Sequence, residues 1–86
     1  MATVEQRVKQ VTSRVLGVDA DQIEPDHSFT FDLGAESVQS VELVAAFEAE
    51  FGIDMDEDVA LSVQTVGDAV QFIRKVCDEQ GVACEN

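Results

Sequence analysis

The sequence predicts a small all-α domain, a bundle of three to four helices with a long first loop. Apolar residues recur at helical spacing in three segments, and two of these segments open with a capping-box pattern. Each also stops at a glycine, Gly17, Gly52 or Gly81, where a helix C-terminus favours a residue tolerant of positive φ. With 86 residues the chain suffices for one domain over 1–86 and one core, expected over about 3–80. Residues 82–86 are expected to fray.

The first helix is predicted over 4–16. Thr3-Val-Glu-Gln6 is its capping pattern, and Val4, Val8, Val11 and Val15 form its apolar stripe. The segment 18–36 has no period, yet Ile23, Phe29 and Leu33 are spaced along it as if to pin a long connection onto a helical core. Such a connection lets two consecutive helices run in similar directions. A second helix over 37–51 places Leu43, Val44, Phe47 and Phe51 on one side. A short helix is predicted around 57–61. The last helix opens with Thr65-Val-Gly-Asp68, carries Val66, Ala69, Val70, Ile73 and Cys77 on one face, and ends before Gly81. Cys77 therefore reads as core. A bond to Cys84 would close only a short terminal loop, so free thiols are expected, as suits a reducing compartment.

Charge narrows the partners. Eighteen acids against five Lys and Arg give a net charge of −13, and from Val15 through Ile73 there are 14 acids and no Lys or Arg. So strong a negative field disfavours nucleic acid and anionic lipid and favours proteins with basic patches. No leader-like or membrane-spanning run is present, so the chain reads as cytoplasmic and monomeric, with no membrane insertion.

The stretch Asp32-Leu-Gly-Ala-Glu-Ser-Val38 sets a serine just after a glycine turn, at a helix start. A hydrolase elbow is excluded, because Ala35 and Gln39 stand where its two glycines are needed. The sole imidazole, His27, lies in an acidic loop with no partner constellation, and neither catalysis nor a metal site is expected. Asp54, Asp56 and Asp58 match the first carboxylates of a calcium loop, but Val59 and Thr65 replace its glycine and its glutamate. By local chemistry alone Ser37 is a helix N-cap.

Its surroundings change that reading. The string FTFDLGAESVQSVELVAAFEAEFGI, followed by TVGDAV, resembles the acyl carrier protein family, whose signature is Asp-Leu-Gly-Ala-Asp-Ser-Leu leading into a helix with Val-Glu-Leu. Asp32, Leu33, Gly34, Ala35, Ser37, Val41, Glu42 and Leu43 match it, as do Glu48, Glu50-Phe51 and Thr65-Val66, and the resemblance covers roughly residues 3 to 76. It implies an acyl-carrier-like fold and a 4′-phosphopantetheine arm on Ser37, whose thiol carries acyl groups as thioesters between enzymes of fatty acid, lipid, polyketide or peptide biosynthesis. It also implies a non-enzyme whose partners are a phosphopantetheinyl transferase, acyltransferases, ligases and synthases with basic surfaces. In the family the acyl chain can fold back among the helices, and Leu43, Val44, Phe47, Val63 and Val66 are its expected walls here.

The second helix supports a docking role on its own. Val38, Val41 and Ala45 form an apolar line at i, i+3 and i+7, with Glu42 and Glu48 beside it and Glu36 at the helix start. These six are the expected partner contacts, unless the line packs under the long loop; Gln39 and Ser40 read as solvated spacers. Glu36, Val38, Ala45 and Phe31 depart from the family's usual Asp, Leu, larger apolar residue and polar residue, which points toward a specialised pathway. An unmodified acidic interaction module and a nucleic-acid mimic are the alternatives.

Overall fold

The structure is a computed structural model that describes residues 3–83. It is all-helical: α1 (Val4–Leu16), a 3-10 turn (Ala20–Gln22), α2 (Ser37–Phe51), α3 (Glu57–Leu61) and α4 (Val66–Gln80). Each boundary has a local cause. Thr3 and Gln6 form a reciprocal capping box at the start of α1, with bonds of 3.1 and 2.9 Å. Asp56 and Thr65 cap α3 and α4 through their side chains. Gly17, Gly52 and Gly81 end α1, α2 and α4 in the left-handed region, as expected.

The core forms where the apolar faces meet. Val4, Val8, Val11, Leu43, Phe47, Phe51, Val66, Val70 and Ile73 are all buried in it. α1 is the hub, packed on both α2 and α4, while α3 packs on α2. Thr12 breaks the apolar stripe yet is wholly buried, because its hydroxyl donates to the Val8 carbonyl at 2.8 Å and leaves no polar atom unsatisfied. Val15, expected in the stripe, is only half-buried.

Arg7 joins α1 to the end of α2. Its Nε donates to Glu50 Oε2 at 2.9 Å, its Nη2 donates to the Glu50 carbonyl at 2.7 Å, and the guanidinium lies 4.3 Å from the centre of the Phe51 ring. It answers one of the carbonyl groups that the last turn of a helix leaves without intrahelical partners.

The long connection is pinned as its sequence suggested. Ile23 and Phe29 are buried and Leu33 packs against the core. It is more ordered than an aperiodic segment implies, since it contains the 3-10 turn and a bridge between Ser28 and Thr65. Its carbonyls also close the start of α4: Val66 N–H donates to His27 O at 3.0 Å and Gly67 N–H to Pro25 O at 2.8 Å. Gly67 permits this approach, because a Cβ there would stand 3.1 Å from the Pro25 oxygen. His27 is thereby a framework residue; its Nδ1 accepts from Glu24 N–H at 3.1 Å.

Two expectations are corrected. Cys77 is buried as predicted but is disulfide-bonded, against the reading of free thiols, and residue 84 lies outside the described residues. Val82, placed in the frayed tail, packs against the core, with its N–H on the Cys77 carbonyl at 2.8 Å.

Candidate functional site: an exposed serine beside an apolar cavity

Ser37 is the first residue of α2, and it is not the cap. That place belongs to Glu36, whose backbone is extended and whose N–H donates to Gln39 Oε1 at 3.0 Å. The N-cap reading of Ser37 fails by one residue because Gln39, taken from sequence as a spacer, reaches back to Glu36 as the third residue of a capping box does. The consequence is chemical. The Ser37 hydroxyl is exposed and has no hydrogen-bond partner among the described residues, so it can accept a substituent without losing any bond that holds the fold.

The turn before it aims the helix start outward. Gly34 sits at φ 75° in open space, and Ala35, which follows, is buried with its N–H on the Phe29 carbonyl at 2.8 Å. The chain therefore rises from a buried anchor at Ala35 to an exposed serine two residues on. First-turn N–H groups and the positive end of the α2 dipole favour a phosphate at that point.

A cavity of about 270 Å³ opens between α2, α3 and α4. Leu43, Val44 and Phe47 line it from α2, Ala69, Phe72 and Ile73 from α4, and Met55, Ala60, Leu61 and Val63 from α3 and its flanks. Four of the five expected walls are present. Val66 is not; it is wholly buried in the core. Ser40 lines the cavity one turn beyond Ser37 and so is no spacer. Met55, Leu61 and Phe72 were missed, because they converge only in three dimensions.

On the outer side of α2, Val38 is 71% and Val41 44% exposed, and Glu36, Glu42 and Ala45 are exposed with them. The line does not pack under the long loop. Glu48 differs: it is half-buried, and its Oε2 accepts from Met55 N–H at 2.8 Å, tying down the α2–α3 connection.

A hydroxyl at a helix start, a helix-wide apolar line and a nearby cavity suit a carrier of covalently attached chains. Comparison decides the family, since residues 6–73 match the model of the phosphopantetheine attachment site. The chain belongs to the acyl carrier protein family. It is 51% identical over 75 residues, 87% of its own length and 96% of theirs, to the acyl carrier protein of Sinorhizobium fredii (strain NBRC 101917 / NGR234) and to the acyl carrier protein AcpP of Rhizobium meliloti (strain 1021). Its cofactor is accordingly a covalent 4′-phosphopantetheine, and its function is to carry acyl groups. Among the described residues no helix is long and apolar enough to cross a membrane.

Proposed function

We propose that Ser37 bears the 4′-phosphopantetheine arm. The observation that carries this is the exposed, unbonded hydroxyl at the first position of a 15-residue helix, with the capping duty left to Glu36 and Gln39. In loading, Ser37 Oγ forms the new bond to phosphorus of coenzyme A, adenosine 3′,5′-bisphosphate leaves, and the hydroxyl proton passes to a base of the transferase. The arm supplies a thiol that holds the acyl group as a thioester. The chain supplies no catalysis.

Its own residues supply an address and a shelter. Glu36 and Glu42 attract basic surfaces of the transferase and of acyltransferases, ligases and synthases, while Val38, Val41 and Ala45 give apolar contact. Glu48 acts more on the shape of the helix end than on the partner. The cavity gives an acyl chain a place out of water, and the surface departures at Glu36, Val38 and Ala45 fit a dedicated set of enzymes in the cytoplasm.

Incubation with coenzyme A and a broad-specificity phosphopantetheinyl transferase tests the attachment site. One phosphopantetheine should appear by intact-mass spectrometry on the wild type and none on Ser37→Ala. An adduct persisting on Ser37→Ala refutes the assignment, and no adduct with several transferases favours an unmodified interaction module.

A further inference from the structure

The turn from Ser28 to Leu33 holds an aromatic ring in water. Phe31 is 92% exposed, while Phe29, two residues earlier, is buried. The ring is not on a loose strand: Phe31 N–H donates to Ser28 Oγ at 3.1 Å, Ser28 N–H donates to Asp32 Oδ2 at 2.7 Å, and the Asp32 and Leu33 N–H groups donate to the Ser28 carbonyl at 3.0 and 3.1 Å. All of these bonds leave the Phe31 side chain out, so a polar residue would serve the turn equally well. An exposed phenyl leaves apolar surface hydrated that folding normally removes.

What distinguishes the place is its neighbour. Phe31 and Thr30 line the outer part of the cavity whose inner walls include Leu43, Val44 and Phe47. Leu61, itself 42% exposed, lines the same cavity from α3. We infer that Phe31 and Leu61 form an apolar collar at the cavity mouth, which extends the dry path for a tethered acyl chain and makes Phe31 a determinant of the chain length this carrier shelters. The inference rests on the arm at Ser37 proposed above. Charge selects the occupant: a free fatty acid brings a carboxylate to a molecule of net charge −13, whereas a thioester is neutral and is delivered by its tether. A collar also does for a chain what an enclosed cavity cannot, since it covers methylenes that have no room inside.

The test uses wild type, Phe31→Ser and Phe31→Leu, each loaded with straight acyl chains of increasing length and verified by intact mass. Thioester cleavage by hydroxylamine is then timed. Each methylene withdrawn from water multiplies the sheltered-to-open ratio by about four. The three proteins should cleave alike with chains short enough for the cavity; with longer ones Phe31→Ser should cleave about fourfold faster for every methylene the ring covers, and Phe31→Leu should recover most of the protection. Equal rates for wild type and Phe31→Ser at every length overturn the inference, as does a difference already present at the shortest chain, which marks a purely structural role. Weaker transferase binding with unchanged cleavage overturns it too and assigns the ring to partners. The chain has no Trp and no Tyr, so Phe31→Trp adds a single fluorophore whose emission should move to the blue only under long chains. Emission indifferent to chain length is again a refutation. Failure of the underlying reading looks different, because then no adduct appears on Ser37 in any of the mass spectra.

Discussion

Filling the cavity from its α4 wall should separate the stability of the fold from the stability its cargo adds. Ala69 is buried, lines the cavity, and sits one turn into α4. At about 30 Å³ for each water-sized group, the 270 Å³ holds about nine such groups. An octanoyl chain brings about six methylenes, worth about 5 kcal/mol at 0.8 kcal/mol each, and freezing its torsions offsets about half. The remaining 2.5 kcal/mol or so should raise the melting temperature of the octanoyl form about 10–20 °C above the holo form. Ala69→Leu places three more carbons in the same space and should cut that increment to about half or less, while the holo form melts no lower than wild type because a void has been filled. The assay is thermal unfolding followed by helical circular dichroism on mass-verified holo and octanoyl proteins. Equal midpoints for the two wild-type forms refute the reasoning outright. So does an undiminished increment in Ala69→Leu, which would mean that the chain lodges elsewhere.

Other expectations concern single contacts. Arg7→Ala removes two hydrogen bonds and the contact with Phe51, and should cost about 1–2 kcal/mol, read as a fall of the midpoint in urea at unchanged slope. Gly34→Ala puts a side chain at φ 75° with free space around it, so only backbone strain is at stake; about 1–2 kcal/mol should be lost on thermal melting, and less with Gly34→Asn. Glu42→Lys should slow association with the transferase and flatten its salt dependence, as stopped-flow kinetics at two ionic strengths would report. Val41→Ser leaves the field intact and removes apolar contact, so the same experiment should show faster dissociation at a nearly constant association rate.

The helices were legible because their ends are written locally: Thr3 with Gln6, Thr65 with Asp68, and glycines at the stops. Interactions that join distant residues were not. Arg7 and Glu50 lie 43 positions apart, and nothing near either announces the other. The burial of Thr12 follows from a hydroxyl that can bond within its own helix, which a hydropathy pattern scores as polar. At the site, the exposed α2 line could be read from spacing and the serine from its resemblance to a family signature, yet the true cap could not, because Ser is the favoured cap residue and only the reach of Gln39 back to Glu36 moves the helix start by one position. The cavity is the least legible part, since it is bounded by residues from α2, α3, α4 and the turn at Phe31, and its shape belongs to none of them alone.

The two loop carbonyls that close the start of α4 have a mechanical consequence. Pro25 and His27 clamp the long connection before α2 to the helix that forms the rear wall of the cavity, and the bridge from Ser28 to Thr65 adds a third fastening. Loop and rear wall are thus fastened to each other at three points and should move together as one bracket. Room for a larger guest therefore has to come from the opposite side, where the five-residue α3 leans on α2 and is the lightest piece of the frame. The carrier should then open as a fixed jaw and a loose one, with the serine mounted at the junction between the bracket and α2.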